Sequence, residues 1–108
     1  MNLQDRIYFQ GVLDDFIYAS IQRVARSNEL VHRYRLTVDE VRQNTGRQRL
    51  HESVLYEIEA FFNYSNVLIT YDRNFGTFDI ILDLSRCALN QAQARFLSTA
   101  MEVYRSEN

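Results

Sequence analysis

The feature that most narrows the fold is a single change of apolar period between Leu50 and Leu84. Leu50, Val54, Leu55, Ile58, Phe61 and Phe62 recur at helical spacing and form one continuous stripe, with His51, Glu52, Glu57 and Glu59 largely outside it. After the polar breaker Asn63-Tyr64-Ser65-Asn66 the period falls to two. Residues 67–72 put Val67, Ile69 and Tyr71 on one face, and residues 78–84 do the same with Phe78, Ile80, Leu82 and Leu84. The connection, Arg73-Asn74-Phe75-Gly76-Thr77, is short and carries Asn and Gly, so the two strands form an antiparallel hairpin. Asp79 and Asp83 mark its wet face. Helical spacing and strand alternation assign most of the aromatic side chains here to the core. Phe75 is the exception, because a turn does not require its burial; an exposed Phe there would suggest insertion into a partner.

Upstream, the spacing predicts a long helix over residues 3–28, with Leu13, Ile17, Ile21 and Val24 on its apolar face. Gly11 weakens its first half by about 1 kcal/mol relative to Ala. Residues 30–36 alternate, with Leu30, His32, Tyr34 and Leu36 on one side, and read as a short edge strand. Thr37 then caps a short helix over residues 38–44, with Glu40 completing a capping box and Gly46 ending it. Asn90 with Gln93 three residues on announces a last helix, whose apolar face is Phe96, Leu97, Ala100, Val103 and Tyr104. The fold class is therefore α+β: helix, short strand, tandem helices, β-hairpin, C-terminal helix. With 108 residues this is a single domain, residues 1–108, able to bury one core without metal or disulfide.

The lone Cys87 cannot form an internal disulfide and reads as a small buried hydrophobe. The first residues lack the basic and apolar regions of a signal peptide, and no stretch approaches a membrane span. A cytoplasmic location, without membrane association, is the expectation.

All twelve basic side chains are Arg, whose planar fork of donors suits phosphate and carboxylate alike. The net charge of −2 is unevenly spread. Residues 23–49 hold seven Arg against three acids, whereas residues 50–108 hold four Arg against eight. A basic middle in an acidic chain points to a polyanionic partner for that segment.

This element order resembles the winged helix-turn-helix superfamily over residues 13–84. In that likeness Thr37-Val38-Asp39-Glu40-Val41 starts the first tandem helix and Gly46 sits in the turn. Residues 50–62 are then the recognition helix and residues 72–77 the wing tip. The resemblance implies a transcription-regulating protein that binds double-stranded DNA. Arg47, Gln48, Arg49 and His51 would lie at the N-terminal end of the recognition helix, where base edges and phosphates are met. Arg42 and Gln43 would touch the backbone, and Arg73 a neighbouring phosphate or groove.

No enzyme chemistry is legible. His32 and His51 with a single Cys make no zinc set, and adjacent Asp14 and Asp15 point in different directions on a helix. Three scattered Gly allow neither a phosphate loop nor a dinucleotide fingerprint. No cofactor, metal or catalytic residue is expected. The competing expectation is a protein partner: an inhibitor, immunity protein, chaperone or phage-encoded antagonist that occupies another protein's basic surface with its acidic half. Tyr18, Tyr64 and Tyr104 would be anchors. Either role is compatible with a homodimer, since the first and last helices have apolar residues to spare, including Ile7, Tyr8 and Tyr104.

Overall fold

The computed structural model describes all residues, Met1–Asn108. Its order is α1 (Leu3–Ser27), β1 (Val31–Thr37), α2 (Val38–Thr45), α3 (Glu52–Tyr64), β2 (Leu68–Asp72), β3 (Thr77–Asp83) and α4 (Gln91–Glu107), the α+β arrangement read from the sequence. The sheet is antiparallel in the order β1-β3-β2, so the second hairpin strand is central and β1 lies at an edge.

Register explains the core. His32, Tyr34 and Leu36 lie opposite Leu82, Ile80 and Phe78, while Ile69 and Tyr71 lie opposite Ile80 and Phe78, all on one face. Against that face pack Phe9, Leu13, Ile17, Ile21 and Val24 of α1, Val41 of α2, and Ile58 and Phe62 of α3. Phe16 stacks on Tyr34 with ring centroids 4.3 Å apart, and the Tyr34 and Ser20 hydroxyls share a 2.7 Å hydrogen bond. His32 is buried, its Nε2 at 2.8 Å from the Glu29 carbonyl, so its role is packing.

Helix ends follow local chemistry with two corrections. Asn2 accepts the Asp5 N–H, and Asn28 closes α1 in the left-handed conformation. Thr37 accepts the Glu40 N–H, but the expected reciprocal half of the box is absent: the Thr37 hydroxyl donates to the Glu40 carboxylate instead. Gly46 ends α2 at φ +69, a conformation that L side chains rarely adopt. The second correction concerns α3, which begins at Glu52 rather than Leu50. His51 is its N-cap, and Leu50 packs on the core from the preceding loop.

α4 opens with the full capping box of Asn90 and Gln93 and lies along α1. Gln93 is buried and also donates to Asp14 at 3.0 Å, so Asp14 anchors the last helix. Only part of the expected apolar face of α4 is covered: Ala100 is buried, whereas Phe96 and Val103 remain exposed.

Because Gln93 serves both the cap and the α1 contact, Gln93→Ala should cost about 1–2 kcal/mol. A lower urea midpoint with unchanged m-value is the expected reading.

Candidate interaction surface

The seven residues expected at a nucleic-acid surface divide into an exposed set and one internal member. Arg42, Gln43, Gln48, Arg49, His51 and Arg73 are exposed, whereas Arg47 is half-buried. Its guanidinium donates to the Asp5 carboxylate at 2.7 Å, and Asp5 is only 3 % exposed. Arg47 therefore ties the 46–51 loop to the start of α1 and is not offered to a ligand. Its assignment to the surface is corrected on that ground.

Most of the basic surplus is likewise engaged. Arg23 lies over the Tyr34 ring at 5.5 Å, Arg35 pairs with Asp79 across the sheet, and Arg42 pairs weakly with Asp39 at 3.4 Å. Arg49 has no ion partner within the chain. His51 is exposed and makes no side-chain cap bond, in keeping with a solvated residue.

Arg73 at the hairpin tip donates to the Glu52 carboxylate at the start of α3, so these two elements meet. That hydrogen bond and the charge of Glu52 raise the Arg73 pKa further. Both residues line a groove of about 190 Å³ together with Leu55, Tyr56, Glu59 and Tyr71. Tyr56 is 66 % exposed, and Glu59 has no cationic partner. Glu57 is outside the groove and pairs with the N-terminal ammonium at 3.0 Å. Nowhere along its 13 residues does α3 carry a basic side chain. Two residues beyond Arg73, Phe75 is 79 % exposed at the hairpin tip.

Tyr56 was not singled out from sequence, Glu59 was noted only as lying outside the apolar stripe of α3, and Tyr71 only as lying on the apolar face of β2. Glu52, Tyr56 and Glu59 recur at i, i+4 and i+7, a polar stripe visible in the sequence. Tyr71 joins them only because the hairpin folds against α3, which packs chiefly on β2; α2 packs instead on α1 and β1. Cys87 is buried, and burial pushes its thiol pKa up. No helix is long and apolar enough to cross a membrane. Comparison with protein-family models, curated proteins and solved structures finds no match for this chain.

Replacing Arg47 with Ala strands a buried carboxylate, so it should destabilise the fold by about 3 kcal/mol. Arg49→Ala, at an exposed site, should change stability by less than about 0.5 kcal/mol. Thermal melts of the two variants check the contrast. The native Cys87 thiol should react with a thiol reagent far more slowly than the unfolded chain. Because its folded pKa lies above the unfolded value, it favours the fold fully below that unfolded value. This contribution declines once pH rises past about 8.5, which a pH series of melts with a Cys87→Ala control would register.

Proposed function

We propose that this chain is a non-enzymatic binding protein that engages a basic segment of a protein partner through the groove between α3 and the hairpin. The observation that carries the reading is the unpaired Glu59 carboxylate in a groove shared with Tyr56 and Tyr71. A partner Arg or Lys entering there gains a carboxylate acceptor and aromatic faces together, and a cation over such a ring is worth about 0.5–2 kcal/mol. Phe75, exposed at the tip of the same hairpin, supplies an apolar anchor. The acidic half of the chain would steer a basic partner toward it. An inhibitor, immunity protein, chaperone or phage-encoded antagonist would act in this way, by occupying a surface rather than by chemistry.

One observation favours a second reading, a winged-helix-like regulator of transcription bound to double-stranded DNA. The hairpin tip stands beside the start of α3, and unpaired Arg49 and exposed Gln48 and His51 lie just before that helix. Against it stand the carboxylates of α3, which would face a phosphate backbone.

Two titrations distinguish the readings: an arginine-rich peptide and a random DNA duplex, each followed by fluorescence anisotropy at low and moderate salt. The protein-binding reading expects salt-sensitive peptide binding that weakens about tenfold or more in Glu59→Gln and Tyr56→Ala. Salt-sensitive duplex binding that is lost in Arg49→Ala, with no peptide binding, would replace it with the DNA reading.

A further inference from the structure

A second concave surface lies away from that groove, between the first half of α1 and α3, with a volume of about 1050 Å³. Ile7, Ala60, Phe61 and Tyr64 line it, and three side chains at or beside it stand well out of the protein: Leu3 at 71 %, Ile7 at 65 % and Tyr64 at 91 % exposed. Further along the same side of α1, Tyr18 packs edge-on against Phe96 of α4, which is itself 54 % exposed. Leu3, Ile7, Gly11, Asp14 and Tyr18 follow helical spacing, so a second stripe runs along α1, about a third of a turn around the helix from the one that fills the core.

We propose that this stripe is the interface between two copies of the chain, with their α1 helices crossing antiparallel about a two-fold axis near Gln10 and Gly11. Two observations on α1 converge on a second copy as the occupant. The first is charge. Arg6 and Asp14 both line the concavity, two helical turns and about 12 Å apart. Arg6 has no ion partner within the chain. Asp14 uses Oδ1 to accept from Gln10 and Gln93, leaving Oδ2 without a partner. An antiparallel crossing at Gln10 sets Arg6 of each copy opposite Asp14 of the other and brings Leu3 toward Tyr18. A closed two-fold contact needs such self-complementarity, since the same patch must serve both sides.

The second is Gly11. It sits inside a 25-residue helix, where Gly costs about 1 kcal/mol relative to Ala, and a Cβ there would meet nothing within 4 Å. The monomer has no steric use for it, whereas a close helix–helix approach does.

The shape of the whole molecule is compatible with this. The chain exposes 7212 Å², against about 6,300 Å² for a folded monomer of its mass, because it is elongated, 49 × 29 × 21 Å. The radius of gyration, 15.1 Å, likewise exceeds the value of about 13 Å for a compact chain of this length.

Sedimentation over a concentration series should give a mass about twice 12.8 kDa. Gly11→Gln should weaken pairing by about tenfold or more while leaving the monomer at least as stable to heat. Arg6→Glu, which sets like charges face to face, should do the same. Gln10→Cys should form an intermolecular disulfide on mild oxidation, and Gln22→Cys, away from the axis, should not. A monomer at every concentration overturns the proposal. So does a dimer insensitive to both Gly11→Gln and Arg6→Glu, or a dimer in which Gln10→Cys fails to cross-link. Should Gly11→Gln not fold, the surface change Arg6→Glu and the cross-link still decide.

Discussion

The central position of β3 is the constraint on which the remaining structure depends. Phe78, Ile80 and Leu82 are buried between two flanking strands and beneath helices from three parts of the sequence. A strand paired on both edges has its register fixed twice, and a slip of one residue would turn those three side chains to solvent. Once β3 is set, β1 can only be an edge strand and β2 the other. The hairpin tip is then carried to the start of α3, and α1 closes the sheet's inner face. The Glu52–Arg73 contact and the groove beside it are consequences of that register.

Electrostatics inside this frame decide which charges remain for a partner. A surplus of Arg between residues 23 and 49 looks like a surface when written as a sequence. Folded, Arg47 compensates a buried carboxylate, Arg35 and Arg42 have neighbours of opposite sign, and Arg23 rests on an aromatic face. A buried carboxylate costs several kcal/mol unless it is paired, so Asp5 claims its arginine whatever external ligand is offered. Among the groups left without a partner of opposite sign, Glu59 beside two tyrosines, with exposed Phe75 at the hairpin tip, favours a basic, partly apolar partner.

Much of the fold was legible because it is written in local chemistry. Periodicity located all four helices and all three strands to within a residue or two. Asn90 with Gln93, and Thr37 with Gly46, marked helix ends through bonds that span only a few residues. The start of α3 was misread because Leu50 continues the apolar stripe, and a side chain can reach the core from a loop as well as from a helix. Half of the surface was legible too: Glu52, Tyr56 and Glu59 share one side of a helix. Tyr71, and the loss of Arg47 to Asp5, depended on residues far apart in sequence, 42 positions in the second case.

The amino-acid order alone determined where the chain coils, extends and turns, since those choices are made by backbone preference and by neighbours within a few residues. Tertiary packing alone decided which charges cancel, which apolar side chains of α1 and α4 are left outside, and which element stands beside the hairpin. Such outcomes turn on distances through space between distant segments: contact energies fall away within a few ångströms, and Coulomb energies between exposed charges over about 10 Å in salt.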